Sequence, residues 1–155
     1  MNIFLAFPFA GLINSETKEV SPEYKEFFEN LINFIKSRGH TYYSAHEREA
    51  WGNSYMGPME CVPHDFDGLK NCDIMIVVPG NPISGGVHIE MGWASALQKN
   101  MHIFLDKNIK YSPVVHGLAS LTNVRYHNSA EFPSTELFND ICNTIEQEGT
   151  NKKCI

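Results

Sequence analysis

The sequence predicts an α/β fold, a single domain built on a mainly parallel sheet of five strands with helices on both faces. Three observations predict it. Short apolar runs of strand length alternate along the chain with longer amphipathic stretches of helical period. The run Asp73-Ile74-Met75-Ile76-Val77-Val78 is almost wholly apolar and is stopped by Pro79-Gly80, which is how a strand buried on both faces reads. The 155 residues are the size of one domain, enough to bury roughly 70% of the unfolded surface.

Taken in order, Ile3 to Phe7 reads as the first strand, with alternating Phe4, Phe7 and Phe9 packing by default into the core. Pro8 to Val20, with its Pro, Gly, Asn and Ser, reads as a loop longer than a connector requires. Ser21-Pro22-Glu23 supplies an N-cap, a proline at the first helical position and an acidic first turn. Phe27, Phe28, Leu31, Ile32 and Ile35 then follow at helical spacing until Arg38-Gly39. Thr41 to Ala45 is the second strand, and His46 to Pro58 a second long loop, dense in charge and aromatics. A short helix is expected over Met59 to Asn71, then the Asp73 strand, then a helix from about Val87 to Lys99. Met101 to Leu105 is a fourth strand, Val114 to Leu121 a short helix and Val124 to Tyr126 a small fifth strand. Ser134 to Gln147 is a last amphipathic helix with Leu137, Phe138, Ile141, Cys142 and Ile145 inward. Residues 1–149 are read as the domain and 150–155 as a frayed tail.

A net charge of −6 with only 12 Lys and Arg leaves no basic face for nucleic acid. The four Cys form no CxxC pair, and reduced thiols are the simpler reading. The apolar start lacks a basic leader and carries Pro8 in its middle, so it is read as a strand and not a signal peptide. No apolar run approaches the ~20 residues that span a bilayer. A cytoplasmic protein with no membrane partner is expected.

Four polar clusters fall at predicted carboxyl ends of strands or on helices facing them: Phe7 to Ala10, His46 to Trp51, Asp65 with Asp67, and Ser84 to Glu90. In open α/β sheets ligands bind outside the carboxyl ends of the strands. Two carboxylates meeting there can divide the labour of glycosyl transfer, one trapping an oxocarbenium-like centre and the other acting as an acid. Ser84-Gly85-Gly86 is suited to presenting a hydroxyl and amides to a phosphate. Read alone, His46 is as well explained as a hydrogen-bonded structural imidazole, Trp51 as a lid over apolar surface, and Asp65 and Asp67 as solvated charges. Cys61, His64, Cys72 and His88 lack the paired spacings of a zinc site. Neither GxGxxG nor GxxxxGK[ST] occurs.

Four stretches together resemble the nucleoside 2-deoxyribosyltransferase-like superfamily, and within it the branch of CMP and 5-hydroxymethyl-CMP hydrolases. They are Phe4-Leu5-Ala6-Phe7-Pro8-Phe9, Ala45-His46-Glu47-Arg48-Glu49-Ala50-Trp51-Gly52, His64-Asp65 with Asp73 after it, and Gly86-Val87-His88-Ile89-Glu90-Met91-Gly92-Trp93-Ala94-Ser95. The resemblance implies a flavodoxin-like or Rossmann-like three-layer sandwich, a pyrimidine nucleotide as substrate, no cofactor or metal, and a homodimer or dimer-based assembly with shared sites. It implies Glu90 as the group that attacks or stabilises the anomeric carbon and Asp65 as the one assisting departure of the base or positioning water. Ser84 and Gly86 take the family's phosphate-binding places, with Ser112 as a second phosphate contact donated by the neighbouring subunit. Phe4 stands where an aromatic lies against the base, and Phe7, Phe9, His46 and Arg48 border the same pocket. In hydroxymethyl-CMP enzymes an Arg follows the Pro-Phe pair. Here that position is Ala10, which removes a charged, multi-donor contact. A 2-deoxyribosyltransferase, and a sensor that binds nucleotide without turnover, are the alternative readings.

Overall fold

Strands β1 (Asn2–Ala6), β2 (Thr41–Ser44), β3 (Ile74–Val77), β4 (Asn100–Asp106) and β5 (Val124–Ser129) form one sheet in the order β2-β1-β3-β4-β5 in the computed structural model of the chain. Every pairing is parallel, where a mainly parallel sheet was expected. The structure describes residues 1–9, 12–14, 20–54, 56–81 and 83–152, the last two by backbone alone. Ala10, Tyr55, Pro82 and Cys154, together with most of the Pro8 to Val20 loop, lie outside the described residues. The strand order reverses between β1 and β3, which opens the crevice at their carboxyl ends where such sheets bind ligands.

Helices α1 (Pro22–Ser37) and α6 (Thr135–Lys152) cover one face. Their Phe27, Phe28, Leu31, Ile35, Leu137, Ile141 and Ile145 pack on Ile3, Leu5, Ile74 and Ile76. Helices α3 (Pro58–Lys70), α4 (Gly85–Ala96) and α5 (Pro113–Gly117) cover the other, where Leu69, Val87, Met91, Ala94 and Val115 meet Phe4, Ala6, Met75 and Val77. All four residues of β3 are buried, as a central strand with helices on both sides requires. Ser21 precedes α1 in extended conformation with Pro22 in its first turn, and Gly39 at φ +70° ends the connection to β2.

Several elements differ from the sequence expectation. Part of the His46 to Pro58 loop is helical: α2 (Ala45–Arg48) follows β2 directly, then a 3-10 turn over Ala50–Gly52. Helix α4 begins at Gly85, so the two glycines form its first turn instead of a turn before it. Strand β5 runs on to Ser129, paired with β4 to its end, and α6 runs past residue 149 to Lys152. Pairing with β4 extends β5 beyond what its polar residues suggest.

Helix α3 is the exception to good burial. Of its apolar side chains only Leu69 is buried, while Met59, Val62 and Phe66 are 89%, 46% and 36% exposed. Ile89 of α4 and Val114 of α5, helices on the same side of the sheet, are exposed too.

Candidate active site

Asp65 and Glu90 stand on adjacent helices, and the residues around them follow from helical geometry. Helix α4 turns Val87, Met91 and Ala94 into the core, and Glu90, three residues after Val87, sits at the border of that buried stripe. On the same side Trp93 meets Phe66 of α3 edge to face, with ring centroids 5.5 Å apart. Phe66 adjoins Asp65, so this contact brings the two carboxylate-bearing stretches together. Glu90 is partly buried, and its carboxyl is pushed up to about 8, first by desolvation and then by the Asp65 charge, against a lowering by Arg48. It lies in the second turn of α4, beyond the reach of the helix-end field that would favour a carboxylate on the first turn.

Asp65 is held from two sides. Tyr43 at the end of β2 donates its hydroxyl to Asp65 Oδ1 at 2.9 Å, and Arg48 at the end of α2 donates Nη1 to the same oxygen at 2.7 Å. Arg48 also donates to the Tyr43 hydroxyl oxygen and, through Nη2, to Glu49 Oε1 at 2.6 Å. Burial and the Asp65 charge push the Tyr43 phenol above its ordinary value, so it stays a neutral donor. Asp67, two residues on, is exposed.

At the start of α4, Ser84 is the N-cap and its Oγ accepts from Val87 N at 3.4 Å. The amides of Gly85 and Gly86 belong to the first turn, where no intrahelical carbonyl serves them. Neither glycine has positive φ, and a Cβ on Gly85 would meet nothing, so their value lies in leaving these amides uncovered. His88 donates Nδ1–H to the Ser84 carbonyl at 2.8 Å and so fixes the cap. Ser112 caps α5 after β4, is exposed, and accepts from Val114 N at 3.3 Å.

The remaining candidates separate by face of the sheet. Phe7 is 4% exposed and packs on Phe28, Phe27 and Phe132 on the α1 side, so strand alternation points it away from the carboxylates. His46 lies on that same face. It is 1% exposed, lies 4.0 Å from Phe28 between ring centroids, and donates Nε2–H to the Pro8 carbonyl at 2.8 Å. Desolvation pushes its imidazole down to about 4, which keeps it neutral. Phe9 meets His46 edge to face at 4.7 Å on that same side. Phe4 faces the carboxylate side but is 1% exposed beneath Tyr43, with the rings stacked 5.1 Å apart. Cys72 is buried, its thiol pushed up to about 11 by desolvation, and among the described residues no group of three or more His, Cys, Asp or Glu side chains is placed to hold a metal ion. An open groove of about 540 Å³ lies between the starts of α1 and α6, on the face away from the carboxylates.

No family model and no curated protein sequence matches the chain. Among solved structures, the solution structure of BlsM is 31% identical over 94% of this chain and 92% of its own, with a TM-score of 0.72. The CMP N-glycosidase BcmB of Clostridium botulinum is 28% identical over 91% of this chain and 98% of its own, with a TM-score of 0.66. A 2-deoxyribosyltransferase from Bacillus psychrosaccharolyticus, 20% identical over 92% of this chain and 91% of its own, has a TM-score of 0.58 and shares the fold. The chain belongs to the nucleoside 2-deoxyribosyltransferase-like superfamily. The flavodoxin-like order of its strands agrees with that superfamily.

For this superfamily member, sequence reasoning missed Tyr43 and Glu49. Tyr43 read as an ordinary β2 aromatic, and nothing local to it points to Asp65, 22 residues on. Glu49 did carry a signal, an acidic residue beside Arg48 in a stretch dense in charge, while its burial, 4% exposed, is visible only in the structure.

Proposed function

We propose that this protein is an N-glycosidase that hydrolyses the base–ribose bond of CMP, or of a 5-substituted CMP such as 5-hydroxymethyl-CMP, to free base and ribose 5-phosphate. The observation that carries the reading is the pairing of Asp65 with Glu90 beside the uncovered first turn of α4. Glu90, once ionised, attacks the anomeric carbon as the bond to the base breaks. The bond's electron pair leaves with the base, which takes a proton from a water oriented by the Asp65 carboxylate. The hydroxide so formed cleaves the glycosyl ester, adding to the sugar and restoring the Glu90 carboxylate. Ser84 Oγ and the Gly85 and Gly86 amides receive the 5′-phosphate, a contact that an unphosphorylated nucleoside does not need. The similarity to a CMP N-glycosidase supports the same class of substrate.

The apolar face of Met59, Val62, Phe66, Ile89 and Val114 suits a second copy of the chain, which would give Ser112 a neighbour's site to serve. Such a homodimer belongs to the proposal. Among the described residues no helix is long and apolar enough to cross a membrane.

The test is a substrate panel of CMP, 5-hydroxymethyl-CMP, dCMP and cytidine, with released bases resolved by chromatography and a second free base added in parallel. Base release from the nucleotides, with weaker discrimination against cytidine in Ser84→Ala, is the expected result. Reaction of cytidine alone removes the phosphate assignment, and a new deoxynucleoside from the added base makes the protein a transferase.

A further inference from the structure

The AHxREAWG stretch has an architecture that the reaction scheme above does not use. Ala50, Trp51 and Gly52 are three successive residues with positive φ, at 46°, 59° and 99°. For Ala and Trp this is a costly backbone, of the kind that persists when surrounding contacts fix it. Those contacts centre on Glu49. Its carbonyl accepts from Gly52 N at 3.0 Å and Ser54 N at 3.1 Å, while its own amide closes onto Ala45 O at 3.0 Å. The turn thus wraps Glu49 and directs a 4%-exposed carboxylate to Arg48. That buried carboxylate is met by the guanidinium at Oε1 and by the Met56 amide at Oε2, 3.5 Å away, and the same guanidinium reaches Asp65.

The second support comes from the opposite side. The Tyr43 ring lies nearly parallel to Phe4, at 11°, and abuts α3 at Gly68, where a Cβ would stand 2.6 Å from the ring. A glycine three residues after Asp65 therefore lets the phenol lie against the helix and aim its hydroxyl at Asp65 Oδ1. One oxygen of Asp65 is fixed by two donors whose own positions are fixed by β1, α3 and the left-handed turn.

We propose that Tyr43 and Glu49 are positioning residues for Asp65, Tyr43 by its direct hydrogen bond and Glu49 through Arg48. Neither contacts the reacting bond. Each keeps the Asp65 carboxylate at the angle from which it serves the departing base, and the consequence for rate rests on the glycosidase reading above.

The test combines kinetics with structure. Tyr43→Phe keeps the ring stack and removes one donor; Glu49→Gln keeps the shape and removes the charge that anchors Arg48. In both, kcat for CMP falls about 10- to 100-fold, the range set by a charge-assisted hydrogen bond, while KM stays within about twofold. Glu49→Asp restores part of the loss. Adding Tyr43→Phe to Asp65→Asn causes no further fall, because Tyr43 acts only through Asp65. Wild-type kcat in both single variants, or a further fall of about fivefold or more in the double variant, overturns the proposal. Crystal structures of the two free variants supply a readout independent of turnover. A displaced Asp65 carboxylate supports the positioning role even if no substrate in the panel is cleaved, which would count against the glycosidase reading alone. An Asp65 carboxylate unmoved in both variants overturns the positioning role.

Discussion

Glu90→Gln exchanges a carboxyl for an amide of the same shape, and its effect on stability should depend on pH in a way that reports the site. The Glu90 carboxyl is raised from an ordinary value of 4.5 to about 8 in the folded protein, chiefly by desolvation. Between those values the folded protein keeps a proton that the unfolded chain has released, so stability falls as pH rises through this window and levels off above about pH 8. Each pH unit is worth about 1.4 kcal/mol, which sets a ceiling of about 5 kcal/mol for holding Glu90 ionised. Its side chain is partly exposed, and solvent screening reduces the expected value to about 1–3 kcal/mol. Glu90→Gln should therefore match the wild type at pH 5 and melt about 2–10 °C higher at pH 9, measured by circular dichroism across that range. The same ionisation governs activity: wild-type kcat/KM for CMP should rise about tenfold between pH 7 and pH 9, and the variant should be inactive throughout. A melting difference that stays flat from pH 5 to pH 9 would refute the reasoning, because it would mean that Glu90 titrates as an ordinary surface carboxylate.

Gly68→Ala should cost about 1–3 kcal/mol through overpacking, since its Cβ would meet the Tyr43 ring; chemical denaturation checks this, with loss of CMP cleavage expected alongside. His46 and His102 are both held near 4 mainly by burial, so the wild type should lose stability as pH falls from about 6.5 towards 4, where the unfolded chain gains protons that the folded one refuses. His46→Leu should lessen that acid sensitivity while costing about 1–3 kcal/mol at pH 7 by leaving the Pro8 carbonyl unpaired, both read from melts over pH 4 to 7. Met59→Glu with Val114→Glu places charges on two exposed apolar positions; on the homodimer proposed above, light scattering should show a dimer for the wild type and a monomer for the variant, and CMP cleavage should fall with it.

The strand and helix order was legible because each element carries its own signal. The apolar β3 run, the Ser21-Pro22 start of α1 and the spacing of Phe27, Leu31 and Ile35 need no distant partner to be read. Where expectation and structure part, the decisive contacts are distant in sequence. Helix α2 and the left-handed turn after it look like a charged loop until Arg48 has Asp65, and Glu49 has Arg48, to bind. The polar residues of β5 gave it three expected residues, and pairing with β4 extends it to Ser129.

For the site the division is the same. Residue types and spacing brought out Asp65 and the Ser84 to Glu90 stretch as polar clusters near strand ends, but read alone these are also solvated charges and a tight turn, and the resemblance supplies the expected roles of Asp65, Ser84, Gly86 and Glu90. Side-chain direction was beyond the sequence. Alternation along β1 sends Phe4 and Phe7 to opposite faces, but only the packed sheet decides that His46 joins Phe7 beside Phe28 and that Tyr43 covers Phe4. The raised Glu90 carboxyl and the doubly held Asp65 belong to tertiary structure alone, because desolvation and Coulomb coupling depend on which helices are neighbours and not on which residues are adjacent in the chain.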